Sequence, residues 1–415
     1  MTRAARTPSG RVVITGIGVV SGWGWGADVL WEGLRSGRRA ISPPERFDTT
    51  GQRTHLASEV PVPSDEVVGK ISHWHRLSWA DRFAMAAALE ACGQADLFPS
   101  GPQAGVFFGS STAAMSEGEE FFHSLVGESK RRALVRSLVS HQMNGPGDEV
   151  ARQFGISGPV FTVSSACAAG GLALGAALES LRRGEVQVAL AGGADSLCHL
   201  TYSGFNSLRA VDEELCRPFR ADRAGLNIGE GAGVLVLETL EAARERGAEP
   251  LAELLGAGAS CDAYHMTAPH PCGAGAALAI NAALEDSGLE PDQIDFVNTH
   301  GTGTPHNDIS EARALHEVFG PRAAKLPITS TKGSVGHLLG SSGALEAAAT
   351  VQCLLEKELH PTPGEDPADE DLKVDLVLGT PRPLAAESRG LSTSFAFGGS
   401  NAAVVLGSVS QGAQL

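Results

Sequence analysis

Aromatic residues are scarce in this chain of 415 residues, where they make up 5% of the composition and include two tyrosines. The sequence has no run of about 18 apolar residues, so we expect no membrane span. Positive charge is also in deficit, with 32 Lys and Arg against 48 Asp and Glu and a formal net charge of −16. This balance disfavours nucleic acids and anionic membranes as partners of the whole surface, while a local basic patch stays open.

Cysteine is infrequent, with seven residues that form no C-x-x-C pair. A metal cluster or a dithiol redox motif is therefore not expected. An odd number of dispersed cysteines in a long chain predicts a reduced, cytoplasmic protein. The start of the chain, "MTRAARTPSGRVVITGIGVV", has no small-residue cleavage signal and predicts a strand rather than a signal peptide.

The remaining composition, 42% hydrophobic with 51 glycines, indicates a large core and many tight turns. Short β-branched strands alternate with helices rich in Ala, Leu, Glu and Arg, which predicts an α/β protein whose sheets are covered on both faces. Two stretches, "VSSACAAGGLALGAALESL" and "GSVGHLLGSSGALEAAATVQCLL", share a Ser- or Gly-rich turn followed by a helix of small residues. This similarity suggests a duplication, with halves at 1–255 and 256–415.

Cys167 stands where a strand, "PVFTVSSAC", meets a helix, "AAGGLALGAALESLRRG". The unpaired N–H groups and the dipole at a helix start favour a thiolate, which is the nucleophilic form of cysteine. Free cysteine is also among the most buried residue types, so a role as core filler remains open for this residue taken alone.

Three further stretches place polar or aromatic residues beside glycine at predicted strand ends. "VNTHGTGTPHND" (297–308) contains His300, and "STKGSVGHLLGSSGALEA" (330–347) contains Lys332 and His337, while "SFAFGGSNAAVV" (394–405) ends a strand with phenylalanines. Each stretch alone also fits a structural role. A thiol, two imidazoles and an ammonium group together suit acyl transfer through a thioester.

With "RVVITGIGVVS" and "CRPFRADRAGLNIGEGAGVLVLE", this ordered Cys, His, Lys, His set resembles the elongating, decarboxylating β-ketoacyl-acyl carrier protein synthases of the thiolase-like superfamily. The resemblance covers nearly the whole chain. It implies a five-layered αβαβα sandwich made of two duplicated halves, and a dimer. It also implies 3-oxoacyl-acyl carrier protein synthase activity, an acyl transfer in fatty acid or type II polyketide or polyene biosynthesis.

In this family Cys167 matches the acylated nucleophile. His300 and His337 match the pair that promotes malonyl decarboxylation and stabilises the enolate, and Lys332 matches the lysine that supports them. The implied reaction moves an acyl group from carrier-protein phosphopantetheine to the cysteine. Malonyl-acyl carrier protein then loses CO₂ and attacks that thioester. Phosphopantetheine arrives on the carrier, and no metal or tightly bound cofactor is expected.

Phe397 matches the gating phenylalanine, whose backbone N–H, with that of Cys167, resembles the oxyanion hole. Asp308 and Glu346 match supporting acidic residues. Because carrier proteins are acidic, we expect a local basic docking patch. Its candidates are Lys130, Arg131, Arg132 and Arg209. The acyl chain length, the pathway and the choice between a homodimer and a heterodimer with a chain-length factor stay open.

The sequence departs from many relatives in three places. It has Ser165 where they have Thr, "LGSSGA" where they have Ala-Ala, and "SGWGWG" with Trp23 and Trp25 where Pro-Leu-Gly is frequent. We expect the first two departures to reshape the acyl pocket slightly without touching catalytic groups. The two tryptophans are expected to change a surface or a partner contact.

Other classes fit less well. A thiolase would carry a second catalytic cysteine near the C-terminus, an initiating synthase uses Asn in place of His337, and a chain-length factor lacks the nucleophile. A dinucleotide-binding oxidoreductase would need a different spacing from "TGIGVVSG", in which Gly16-x-Gly18 is followed by Gly22. A purely structural subunit would need an unreactive Cys167.

Overall fold

The computed structural model describes residues 10–126, 135–138 and 141–409. The longer strands are β1 (Val12–Ser21), β2 (Ala104–Gly109), β3 (Val160–Val163), β4 (Val188–Asp195), β5 (Gly231–Thr239), β6 (Ala252–Cys261), β7 (Phe296–Asn298), β8 (Pro327–Thr329), β9 (Arg389–Phe395) and β10 (Ser400–Gly407). Two-residue strands lie at Gly24–Trp25, Ala57–Ser58, Ile228–Gly229, Glu358–Leu359, Asp375–Leu376 and Arg382–Pro383.

The helices alternate with these strands, as the sequence pattern predicts. They are α1 (Ala27–Arg35), α2 (Asp65–Lys70), α3 (Trp79–Gln94), α4 (Met115–Val126), α5 (Gly145–Phe154), α6 (Ala169–Arg182), α7 (His199–Ser207), α8 (Leu240–Glu245), α9 (Ala274–Ser287), α10 (Pro305–Phe319), α11 (Lys332–Val335) and α12 (Ser342–Glu356). Short 3₁₀ turns lie at Trp74–Arg76, Val135–Leu138, Pro291–Gln293, Gly320–Lys325 and Leu339–Ser341.

The sheet repeats one topology in both halves. The strand order is β3-β2-β4-β5-β1 in the first half and β8-β7-β9-β10-β6 in the second. The first three strands of each series are parallel, and β5 and β10 run antiparallel to their neighbours. The halves join where β1 pairs with β6, through Val13–Glu253 and Ile14–Ala252. The second half therefore starts with β6, slightly before the predicted division at 255/256.

Five layers result from this repeat. Helices α6 and α12 lie between the two halves of the sheet, while α3 and α5 cover the outer face of the first half and α9, with α10 beside it, covers the second. The predicted αβαβα sandwich of duplicated halves is confirmed. In the described ranges, none of the helices combines the length and apolarity that a bilayer crossing requires.

The two central helices touch through their backbones. A Cβ atom on Gly343 would lie 2.7 Å from the amide nitrogen of Gly171, which is closer than real Cβ contacts allow. The small residues seen in the sequence therefore let α6 and α12 approach closely. Their N-terminal ends meet at the carboxyl ends of the parallel strands, where the candidate site lies.

Candidate active site

Cys167 lies in the turn between β3 and α6. The preceding residue, Ala166, has a φ of +44°, in the left-handed region that costs free energy for a residue with a Cβ. Two backbone hydrogen bonds hold the turn: the N–H of Ala168 donates to the carbonyl of Ser165 (3.2 Å), and that of Ala169 to Ala166 (3.1 Å). The strained turn fixes the thiol at the start of the central helix.

The protonation state of Cys167 differs from the expectation of a thiolate favoured by the helix start. The side chain is 6% exposed, and burial raises the pKa of the thiol to about 12. The ammonium group of Lys332 and the backbone N–H groups of Phe397 and Cys167 act in the opposite direction. Burial outweighs them, so the resting residue is a thiol, and its proton has to leave as the sulfur reacts.

One cavity of about 410 Å³ collects most of the predicted site residues. Cys167, His300, His337 and Phe397 all line it, together with Phe395. The two imidazole rings lie 5.3 Å apart between centroids and meet edge to face at 84°. The fold thus brings residues from four separate stretches of sequence to one space.

Lys332 lies behind the cavity as a buried cation. It is 1% exposed and forms an ion pair with Glu346 of α12. Burial raises the pKa of Glu346 to about 7, against the attraction of Lys332. Burial, and then the charge of Lys332, lower the pKa of both His300 and His337 well below the ordinary value. Both imidazoles are therefore neutral at pH 7, each with one N–H donor and one acceptor nitrogen.

The serine pair of "LGSSGA" contacts a site residue, so the prediction that this departure touches no catalytic group is wrong for Ser342. Its Oγ lies 2.8 Å from Nδ1 of His337. The neighbouring Ser341 donates its hydroxyl to the carbonyl of Leu338 instead, at 2.7 Å. The backbone N–H of Leu339 also points at Nδ1 of His337, at 3.3 Å.

The two tryptophans of "SGWGWG" have partners within the chain. The indole N–H of Trp23 donates to Oγ of Ser334 at 2.9 Å, and that of Trp25 donates to the carbonyl of Pro61 at 2.8 Å. The ring of Trp25 also packs against Trp74, with ring centroids 5.8 Å apart. Both residues therefore support the fold around the start of α1, and their expected effect on a surface or a partner contact stays a prediction.

The loop that carries His300 is held by a carboxylate that the sequence analysis missed. Glu311 of α10 accepts hydrogen bonds from the backbone N–H of His300 and of Gly301, and from the hydroxyl of Thr393, each at 2.8 Å. Burial raises the pKa of Glu311 to about 7. In the sequence it stands in "PHNDISEARALHEVF", which has the charge pattern of an ordinary exposed helix.

Asp308 lies one turn earlier on the same helix and joins two motifs. It accepts from the backbone N–H of Phe219 at 2.7 Å and of Gly303 at 3.2 Å. Burial raises its pKa to about 6. The residue therefore ties the "CRPF" stretch to the loop after His300 and does not line the cavity.

Asp195, at the end of β4, is a second buried carboxylate that the sequence analysis did not identify. It is fully buried and gathers the loop after β2 onto the start of α12. Its donors are the hydroxyl of Ser110 (2.7 Å) and the backbone N–H groups of Ser111 (2.9 Å), Thr112 (2.7 Å), Ala113 (3.0 Å) and Ser341 (3.2 Å).

Phe397 occupies the loop between β9 and β10. Its ring stacks on Phe205 with centroids 5.4 Å apart, and its backbone N–H faces the sulfur of Cys167. Gly398 and Gly399 follow with φ of +87° and +81°, a conformation that side chains disfavour. The loop therefore aims a backbone donor at the thiol and sets an aromatic ring at the cavity wall.

The predicted docking residues are only partly described. Arg209 lines the mouth of the cavity beside the exposed Leu208. Lys130, Arg131 and Arg132 lie outside the described residues.

Comparison with known proteins agrees with this geometry. The family model "Beta-ketoacyl synthase, N-terminal domain" matches residues 9–243, and "Beta-ketoacyl synthase, C-terminal domain" matches 251–365. A 3-oxoacyl-[acyl-carrier-protein] synthase 2 of Synechocystis sp. is 36% identical over 404 residues, covering 94% of this chain and 96% of the relative.

Two solved structures share the fold over 97% of this chain and 100% of theirs. The ishigamide ketosynthase/chain length factor superposes with a TM-score of 0.91 at 35% identity. A type II PKS ketosynthase, bound to a hexaketide and in complex with its acyl-carrier protein, superposes with a TM-score of 0.88 at 30% identity.

Proposed function

Since this chain belongs to the β-ketoacyl synthase family, a family of acyltransferases, we propose that it condenses an acyl group on Cys167 with malonyl-acyl carrier protein. One observation carries this assignment of roles: Cys167, His300 and His337 line the same cavity beside the loop of Phe397. The product is a 3-oxoacyl-acyl carrier protein two carbons longer than the acyl group.

In the first step the sulfur of Cys167 attacks the thioester carbonyl of the acyl carrier. A new S–C bond forms, the bond to the phosphopantetheine sulfur breaks, and the thiol proton passes to that leaving thiolate. The backbone N–H groups of Cys167 and Phe397 stabilise the tetrahedral oxyanion. Because burial raises the pKa of this thiol, the proton has to leave as the S–C bond forms, and the departing phosphopantetheine thiolate accepts it.

In the second step malonyl-acyl carrier protein enters the cavity. Its carboxylate leaves as CO₂, and N–H donors of the neutral His300 and His337 stabilise the enolate oxygen that forms. The enolate carbon attacks the Cys167 thioester, the cysteine leaves as a thiolate, and a proton from water restores the thiol. Neutral imidazoles suit this step because they stabilise the oxyanion without protonating the carbanion.

The scheme needs no resident metal or redox group, since phosphopantetheine is part of the incoming substrate. Arg209 at the cavity mouth is proposed to contact the acidic carrier. Arg209→Glu is expected to raise the KM for carrier-bound substrate and to leave alkylation of Cys167 by a small reagent unchanged. A cytoplasmic location, inferred from the dispersed cysteines, is part of the same proposal.

A second chain is proposed to cover the outer strand of the first half. β3 is the last strand of its sheet, and Val160 and Phe161 are 40% and 50% exposed. An exposed apolar edge strand is a template for pairing with another chain. Val160→Lys should weaken a dimer measured by light scattering, whether the partner is a second copy or a chain-length factor. Val62→Lys, at another exposed valine, is the control.

Intact-protein mass after incubation with acyl-carrier proteins of several chain lengths tests the nucleophile. We expect an increase of one acyl group in the wild type and in Cys92→Ala, in which a buried core cysteine is changed, and none in Cys167→Ala. The preferred chain length will indicate the pathway. An adduct that persists in Cys167→Ala, or no adduct in the wild type with any donor, would contradict the proposal.

A further inference from the structure

The imidazole of His337 receives two contacts at one nitrogen. The backbone N–H of Leu339 lies 3.3 Å from Nδ1, and the hydroxyl oxygen of Ser342 lies 2.8 Å from it. Leu339 has a φ of +55°, so the chain adopts an unfavourable conformation where it turns this N–H toward the ring. Ser342 is the first residue of α12 and is 1% exposed.

These contacts define the tautomer of the ring. A backbone N–H can only donate, so Nδ1 of His337 has to be the acceptor and the proton of the neutral ring lies on Nε2. The Ser342 hydroxyl then donates to Nδ1 as well. Both donors stabilise the neutral ring, and both leave Nε2–H free to serve the cavity that His337 lines.

We propose that Ser342 is a positioning residue, whose hydroxyl adds a second donor at Nδ1 and so strengthens the Nε2–H tautomer, set by the N–H of Leu339, that stabilises the enolate after malonyl decarboxylation. The assignment rests on the proposed function for the identity of the reaction. The contact itself does not, because it joins two side chains of this chain.

The other groups around His337 affect its charge and not its tautomer. His300 faces the ring edge to face and is neutral, and Cys167 lines the same cavity as a thiol. Lys332, paired with Glu346, is the cation whose charge acts on His337. These groups oppose an imidazolium but do not select between the two neutral tautomers. The donors at Nδ1 make that selection.

Ser341 provides a matched control on the adjacent position. Its hydroxyl donates to the carbonyl of Leu338 at 2.7 Å, and its backbone N–H donates to Asp195 at 3.2 Å. Ser341→Ala and Ser342→Ala each remove only one oxygen atom from a buried serine. Both variants are therefore expected to fold, which a thermal melt will check.

The first measurement uses ¹⁵N-histidine-labelled protein, with His337→Asn to identify the signal. In Ser342→Ala we expect the Nδ1 resonance of His337 to shift as it loses a donor, and in Ser341→Ala we expect no shift. The same position of this resonance in the wild type and Ser342→Ala would overturn the proposal. This result does not depend on activity, so it is separate from any failure of the proposed function.

The second measurement follows CO₂ release from malonyl-acyl carrier protein by the acylated enzyme. In Ser342→Ala we expect release to slow by about threefold to tenfold, the usual effect of one hydrogen bond, while acylation of Cys167 keeps its rate. The pH profile of CO₂ release should also change in Ser342→Ala. Its acid limb should move to higher pH, because the imidazolium form of His337 becomes easier to form. An unchanged rate and profile, or an equal loss in acylation, would overturn the proposal.

Discussion

The turns after β3 and β8 occupy the same place in the two halves, yet they supply different chemistry. The first is short and places one uncharged group, Cys167, at the cavity. The second contains α11 and carries Lys332 and His337, which α12 holds through Glu346 and Ser342. The duplicated backbone places both turns at the cavity. In the second half, side chains of α12 pair the charge of Lys332 and contact the ring of His337.

The loops after β2 and β7 make a second pair. Each is held by a buried carboxylate, Asp195 in the first half and Glu311 in the second, where Asp308 also accepts the N–H of Gly303. Asp195 gathers a loop without a titrating group, whereas Glu311 binds the backbone of His300 itself. The same device is thus structural in one half and positions a reactive side chain in the other.

The largest expected effect comes from removing the buried charge that only the second turn has. Lys332→Ala should lower the free energy of unfolding by about 3–5 kcal/mol, because Glu346 is left buried without its partner. Urea unfolding measures this loss. Lys332→Met combined with Glu346→Leu should recover most of the stability but not the condensation activity. An unchanged midpoint in Lys332→Ala would break the comparison between the two turns.

Exchanging the carboxylates for amides should separate their roles. Asp195→Asn replaces an acceptor of several backbone N–H groups by an amide, whose NH₂ group cannot accept. This change should lower the free energy of unfolding by about 2–3 kcal/mol. Glu311→Gln faces fewer backbone donors and should cost about 1–2 kcal/mol. We expect kcat for condensation to fall about tenfold in Glu311→Gln, through a loosened His300 loop. Equal effects on both quantities in the two variants would contradict distinct roles.

Acid sensitivity should lie in part in the second half. His360 is buried beside β8, where its Nδ1 lies 3.2 Å from Oγ1 of Thr329. Burial lowers the pKa of His360 to about 4. Its folded pKa lies below the unfolded value of about 6.5, so the unfolded chain binds the proton first and stability falls as pH drops.

The comparison of wild type with His360→Gln isolates this group. Between pH 6.5 and 4, the wild type should lose about 1.4 kcal/mol per pH unit more than the variant, because the other titrating groups are common to both. Chemical unfolding at several pH values checks this. Parallel stability curves would show that His360 does not contribute.

The smallest effect concerns the strain in the first turn. Ala166→Gly should raise the free energy of unfolding by about 1 kcal/mol, because glycine accepts a φ of +44° without a Cβ penalty. Leu339→Gly, at φ +55° in the second half, should instead destabilise, since it removes a buried side chain. Thermal unfolding of the two variants shows whether each change raises or lowers stability. A change in the same direction in both variants would contradict this account.

The sequence predicts the layered fold because its strands and helices are strongly patterned and repeat. It also indicates four of the residues that line the cavity, because His300, His337 and Phe397 stand beside glycine and Cys167 stands where a strand meets a helix. Glu311, Asp195 and Ser342 escape the sequence analysis for a common reason. Their partners depend on how a helix or strand end faces a distant loop, and neither spacing nor composition encodes that orientation.

The backbone contact between α6 and α12 has a consequence for recombination. A Cβ on Gly170 would lie 2.8 Å from the amide nitrogen of Ala344, and one on Gly343 would lie 2.7 Å from that of Gly171. The seam between the halves at this point is built from main-chain atoms, which every relative possesses. A hybrid gene that joins the first half of one parent to the second half of another keeps this seam wherever both parents encode glycine there. Such a hybrid exchanges the nucleophile and the histidine pair as separate modules.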